Sequence, residues 1–280
     1  MKPQSDDKII RIDLDAVLRS KLQRYYRFIP KSLVAWLKRI VCQDELNALI
    51  ESNAGRRGAD FCAGVLSDLD VSYDVRHADR LPSASDRKVT FVSNHPLGAL
   101  DGIAIIDMVT GIYGRGVKFV VNDLLMAIEP LSDVFVPINK HGRQKREDVG
   151  GVDGAFAADD PVIVFPAGMC SRLDNGEVAD LEWQKMFVNK SIENHRTVIP
   201  LYFSGENSKF FYKFAKFRKR LGIRLNIEMV RLPREVFLCR GRHFTVTVGY
   251  PMEWSTLRGG RESLRQAQAI RQAVYELKEN

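Results

Sequence analysis

The 280-residue chain has only four cysteines, Cys42, Cys62, Cys170 and Cys239. They are widely spaced, with no C-x-x-C pair and no histidine placed to complete a zinc site, which argues against a disulfide framework and a structural metal. Long apolar runs are lacking as well. None reaches the roughly 18 to 20 residues needed to cross a bilayer, and the best, Gly102 to Tyr113, is cut by Asp107 and Gly111. The first seven residues are polar and acidic rather than basic-then-apolar, so no secretory signal is expected. There is no G-x-S-x-G elbow, no H-E-x-x-H pair and no P-loop, and helix-turn-helix, zinc-finger and aromatic-sheet signatures are missing. Internal repeats and low-complexity tracts are absent too.

What is present describes an ordered globule. Apolar residues make up 45% of the chain and charged residues 28%, and the length suits one large α/β domain with a helical extension. Lys and Arg outnumber Asp and Glu by 42 to 35, a formal net charge of +7. That points toward acidic partners: anionic headgroups, nucleic acid or an acidic carrier protein. Placement narrows the choice. Leu14, Leu18, Leu22, Tyr25 and Ile29 recur at helical spacing among Arg19, Lys21, Arg24 and Arg27. After Pro30 a second stripe of Leu33, Trp36, Leu37, Ile40 and Val41 runs beside Lys31, Lys38 and Arg39. Packing on the protein body is the common use of such stripes, but two adjacent ones sharing a basic rim favour a membrane interface. Residues 1–56 are therefore expected to be an amphipathic helical region at a membrane, and residues 57–280 the catalytic domain. A third basic stretch, Ser208 to Arg220, carries Phe210, Phe214 and Phe217 on one side, a pattern that a bilayer explains better than nucleic acid does.

Periodicity predicts strands near 71–76, 88–93, 117–121, 133–138, 161–165, 197–203 and 243–249. Helical patterns alternate with them near 14–28, 32–41, 43–51, 58–69, 102–113, 149–158, 184–195, 207–221 and 261–278. The fold class expected is α/β: a central mixed, mostly parallel sheet of about seven strands flanked by helices, with an N-terminal helical pair. In such sheets working residues gather at strand ends, where His95, Lys140, Gly168 and Gly205 fall.

Directly after the apolar run Val89 to Val92 stands Asn94-His95-Pro96-Leu97-Gly98-Ala99-Leu100-Asp101-Gly102. A histidine at the end of a buried strand, a Pro/Gly turn and a carboxylate at the mouth of a helix are the parts of an oriented general base. Asp101 equally suits the N-cap of the following helix, and the motif alone leaves both readings open. Cys170 follows a second strand-and-turn pattern, so a thiol nucleophile working with His95 is a minor variant; the other cysteines read as small core residues.

Three further blocks follow in order: Val134-Phe135-Val136-Pro137-Ile138-Asn139-Lys140, Phe165-Pro166-Ala167-Gly168 and Val198-Ile199-Pro200. Together with Asn94-His95…Asp101 they resemble the glycerolipid acyltransferase superfamily, typified by 1-acylglycerol-3-phosphate acyltransferases, over roughly residues 85 to 255. The departures are specific. Five residues rather than the family's four separate His95 from Asp101, so the turn must bulge by one residue for the side chains to meet. The family's Glu in the third block is Ala167 here, its Arg is displaced to Arg172, and the Arg closing the second block gives way to Asn139-Lys140, with Arg143, Lys145 and Arg146 behind. These changes mark a divergent branch and leave its acceptor open.

The resemblance implies an O-acyltransferase. His95 takes the proton of an acceptor hydroxyl as it attacks a fatty acyl thioester, acyl-ACP or acyl-CoA, and Asp101 orients the ring. Asn94, Lys140, Arg143, Gly168, Ser171 and Arg172 fall on the substrate side, with Arg143 and Arg172 the preferred clamps for a phosphate or carboxylate. Gly168, Met169 and the turn after His95 are the candidate sources of N–H groups for the oxyanion. No cofactor or metal is required. The implied partners are a one-chain acceptor, either lysophosphatidate or a lyso-amino-acid lipid, the acyl thioester and an anionic membrane surface; nucleic acid is not expected. The implied location is the cytoplasmic face of a membrane, peripheral or monotopic. Two other classes stand beside this one: a lipid or thioester hydrolase using His95 and Asp101 with water or Cys170, and a non-catalytic basic lipid-binding module.

Overall fold

Val89 to Ser93, Val162 to Val164 and Thr197 to Phe203 are nearly continuous apolar runs, which stay dry only if helices cover both faces of the sheet they build. The computed structural model describes residues 11–138 and 151–279, apart from Arg115, Asp123, Leu124, Ala127, Asn175, Arg224 and Leu225. Lys140 and Arg143, with Lys145 and Arg146, lie outside the described residues.

Four helices open the chain: α1 (Leu14–Leu22), α2 (Lys31–Ile40), α3 (Gln43–Ser52) and α4 (Gly58–Asp68). There follow β1 (Ser72–Arg76), β2 (Val89–Ser93), α5 (Leu100–Tyr113), β3 (Lys118–Val121), β4 (Phe135–Pro137), α6 (Val152–Ala157) and β5 (Val162–Val164). The remainder comprises β6 (Arg172–Asp174), β7 (Glu177–Ala179), α7 (Met186–Glu193), β8 (Thr197–Phe203), α8 (Lys209–Arg220), α9 (Leu232–Leu238), β9 (His243–Val248) and α10 (Ser263–Glu276).

The main sheet has seven strands in the order β1-β9-β8-β2-β5-β3-β4. Every neighbouring pair is parallel except β8 with β9, so the sheet is mixed and mostly parallel, as the alternation of patterns predicts. On one face α4 and α5 bring Cys62, Val65, Ile105 and Val109 against Phe91, Ile163, Ile199 and Val246. On the other, α6, α7 and α10 bring Phe156, Phe187, Ile270 and Val274 against Val92, Val162, Val164 and Val198. Each such side chain, taken from water into the interior, contributes about 1.5–3 kcal/mol.

The N-terminal helices are fastened by polar contacts more than by core. The Ile12 N–H and the Leu14 N–H donate to Asn47 Oδ1 and Gln43 Oε1 at 2.7 and 2.8 Å, which ties the start of α1 to α3. The helix expected over 14–28 stops at Leu22: Gln23 takes φ +43 and a 3-10 stretch runs from Gln23 to Phe28. That sharp turn lets the Tyr26 hydroxyl return to Asp15, where Lys38 also lies. Two elements were not anticipated. One is the hairpin β6–β7; the other is α9, opened by Pro233 at a position where a missing N–H does no harm. Among the described residues no helix is long and apolar enough to cross a membrane.

Candidate active site

Parallel strands β2, β5 and β8 end on the same side of the sheet, so the loops after Ser93, Val164 and Phe203 meet there. This is the edge at which open α/β sheets bind ligands. His95 hangs from the first of these loops. Its Nδ1 lies 2.9 Å from Asp101 Oδ2, so the two side chains meet despite the extra intervening residue. The bulge is absorbed at Gly98, whose φ of +81 is a region L side chains rarely enter, and where a Cβ would stand 2.9 Å from Leu232 and 3.0 Å from Cys170. Helix α5 starts earlier than expected, at Leu100, which turns Asp101 back from its first turn toward the ring.

Asp101 lies in the first turn of α5, whose N-cap is Ala99, and is the ring's partner rather than the helix cap. Its Oδ2 also accepts from the Leu97 and Gly98 N–H groups at 2.9 and 3.3 Å, and its Oδ1 from the Gly102 N–H at 2.9 Å. A carboxylate with 0% side-chain exposure needs such donors, and they come from the turn that was expected to supply an oxyanion site. An ionised Oδ2 only accepts, so His95 Nδ1 is the donor to it, and the neutral tautomer that fits this contact carries its acceptor lone pair on Nε2. The imidazole keeps 15% of its side chain exposed while Asp101 has none, so only the ring is accessible from outside. Phe165, from the third motif block, stacks on that ring at 4.0 Å between centroids, and Phe119 meets Phe165 edge-on at 5.2 Å. Gly102 makes room for this stack, since a Cβ there would lie 2.9 Å from the Phe119 ring.

A second carboxylate, missed from sequence, holds the backbone of His95. Asp180 Oδ1 accepts from the His95 N–H at 3.1 Å and from Ser171 Oγ at 2.6 Å, and its Oδ2 accepts from Trp183 Nε1 at 2.9 Å. The Ser171 N–H in turn donates to the His95 carbonyl at 2.7 Å. Both polar groups of the His95 backbone are thus held by the loop and hairpin that follow β5. Burial pushes the Asp180 carboxyl above the usual carboxylate range, against the opposing pull of its bonds to Ser171, Trp183 and the His95 N–H.

The other sequence-derived candidates fall around this pair rather than on it. Asn94 donates to the Phe203 carbonyl at 2.9 Å and accepts from the Phe203 N–H at 2.7 Å, extending the β2–β8 pairing by a side chain. The Gly168 N–H donates to the Phe165 carbonyl at 3.0 Å. Arg172 is 5% exposed and sits 3.1 Å from Glu228 Oε1, with Arg218 Nε 2.7 Å from Oε2 of the same carboxylate. Ser171 and Arg172 therefore brace the loop in this structure. Cys170 has 0% exposure among Phe211, Tyr212 and Leu232, and burial pushes its thiol up to about 12, only partly countered by Arg172. A thiol so placed is almost wholly protonated at neutral pH, which disfavours it as a nucleophile.

The imidazole and the buried carboxylate meet at the carboxyl ends of parallel strands, the edge at which α/β enzymes gather their working residues. Residues 16–280 match the family described as Acyltransferase, and the chain belongs to that family. Two lyso-glycine lipid O-acyltransferases, from Phocaeicola vulgatus and Bacteroides thetaiotaomicron, are each 42% identical to it over 273 residues. Those alignments take in 98% of this chain and 97% and 100% of the respective relatives. The crystal structure of the 1-acyl-sn-glycerophosphate (LPA) acyltransferase PlsC from Thermotoga maritima is a distant likeness, with a TM-score of 0.45 and 17% identity over 95% of this chain and 99% of that one.

Proposed function

We propose that this enzyme moves a fatty acyl group from an acyl thioester, acyl-ACP or acyl-CoA, to the hydroxyl of a one-chain lipid whose headgroup is glycine. The hydroxyl proton passes to His95 Nε2 as the oxygen attacks the thioester carbonyl. The carbon–sulfur bond then breaks, an ester forms, and the departing thiolate takes the proton back from the imidazolium. Asp101 holds the ring in the reactive tautomer and stabilises its charged form. The His95–Asp101 contact at 2.9 Å is the observation that carries the reading, supported by the lyso-glycine lipid O-acyltransferase activity of the two relatives. A carboxylate headgroup also accords with the family's lost Glu at Ala167. No step calls on a metal or cofactor.

The same proposal puts residues 1–56 at the bilayer surface and residues 57–280 in the catalytic unit. Phe28 and Trp36 are 69% and 56% exposed, and Arg24, Arg27, Lys31 and Arg39 surround them. Large apolar side chains left in solvent beside cations suit anionic lipid headgroups.

The test is acyl transfer by the purified chain to a lyso-glycine lipid and, in parallel, to lysophosphatidate. His95→Ala should lower the rate by about 10² to 10⁴ while circular dichroism stays unchanged. An unchanged rate would remove the general base, and preference for lysophosphatidate would remove the glycine acceptor.

A further inference from the structure

The stretch with Phe210, Phe214 and Phe217 has a role that the reaction does not use. Helix α8 contains no acidic residue, and its two faces differ sharply. Phe211, Tyr212 and Ala215 are buried against the rest of the protein, whereas Phe210 and Phe217 are 55% and 58% exposed, and Leu221 beyond the helix end is 59% exposed. Lys213, Lys216, Lys219 and Arg220 stand exposed around them. The 3-10 turn that follows adds Ile227 and Val230, also exposed, and Arg231 lies over the Phe210 ring at 4.3 Å. Apolar area of this size in solvent is a cost unless something covers it.

We propose that this face of α8 and the turn after it is a second docking surface for an anionic bilayer. Charge demands an acidic occupant, and the rings select among acidic occupants. Leu33 and Trp36 on α2 repeat the same chemistry, exposed apolar groups rimmed by cations. A bilayer accounts for two stripes of like composition, whereas a compact acidic carrier protein would need only one of them.

The surface is also joined to the catalytic loop. The Asn207 N–H donates to the Tyr212 hydroxyl at 3.1 Å, and Asn207 Nδ2 donates to the Pro96 carbonyl at 3.2 Å, next to His95. With α8 on the headgroups, the loop that carries His95 is tied through Asn207 to the helix that touches lipid. A one-chain lipid then needs to leave the bilayer only partly to present its hydroxyl. The surface stands independently of the acyl-transfer reading; its part in delivering the acceptor rests on that reading.

The experiment is co-sedimentation of the full chain with vesicles of phosphatidylcholine and of phosphatidylcholine mixed with phosphatidylglycerol. F210S/F217S should weaken partitioning about tenfold or more onto both kinds of vesicle, since the rings interact with hydrocarbon. K213Q/K216Q/K219Q should weaken it by a similar factor on the anionic mixture alone. Both variants should keep the wild-type melting temperature and transfer rate toward a short-chain, water-soluble acceptor. Unchanged partitioning in both variants overturns the proposal. So does loss of acyl-carrier-protein binding, or of self-association on a sizing column, with vesicle binding intact. Inactivity of the wild type on every lysolipid, alongside lost vesicle binding in F210S/F217S, would sink the acyl-transfer reading and leave this surface in place.

Discussion

In the proposed reaction, His95 relies on groups held away from its exposed edge. Asp101 has no solvent exposure, and the N–H groups of Leu97, Gly98 and Gly102 hold its carboxylate oxygens in place beside Nδ1. The alternative nucleophile can be tested at the same scale. Cys170 fills a small apolar gap behind Gly98, and Cys170→Ala should leave transfer within a few-fold of wild type, measured as kcat/KM; a loss comparable to that of His95→Ala would reinstate the thiol. Asn94, His95 and Asp101 were legible because one short segment holds them all. Asp180 was not, because it is 85 positions from the backbone N–H it accepts. Glu228 was hidden for the same reason, its partners Arg172 and Arg218 coming from β6 and α8. Buried polar groups need partners, but nothing local says which ones.

Among elements, strands β2, β5 and β8 were readable from their apolar runs, while the β6–β7 hairpin was overlooked although Asn175-Gly176 is a strong two-residue turn signal. Its strands are too short for an alternating pattern to register. That hairpin delivers Asp180, whose carboxyl burial raises above the ordinary value of 3.8. The folded state therefore holds this proton more tightly than the unfolded chain does. The stability it contributes is complete below the unfolded value and is lost as pH rises through the raised folded one. Urea midpoints measured across acid to neutral pH should fall with rising pH more steeply in wild type than in Asp180→Asn, which has no proton to lose. Equal slopes would mean that Asp180 titrates as an ordinary carboxyl.

Over the whole molecule, one buried cation joins the far ends of these strands. Arg196 has 0% exposure, and its guanidinium donates to the carbonyls of Val89, Phe156, Ala158 and Asp160. Burial lowers it to about 10, so it remains charged at neutral pH. Arg196→Ala would leave those carbonyls without their donor, and at about 1–3 kcal/mol for each unsatisfied group the loss should total several kcal/mol. Thermal unfolding should shift down by on the order of 10 °C; a shift of a degree or two would mean that water replaces the guanidinium.

The amino-acid order by itself determined the α/β class, the seven strands of the main sheet, the short segment that holds both His95 and Asp101, and the basic aromatic stripes. Each is written in local spacing, which backbone geometry converts directly into faces and turns. Tertiary structure alone decided that Asp101 turns back from the first turn of α5, that Arg172 is bound to Glu228 within the protein, and that Asp180 clamps His95. Those outcomes depend on which distant groups share the dry interior, where an unpaired charge or N–H is too costly to leave.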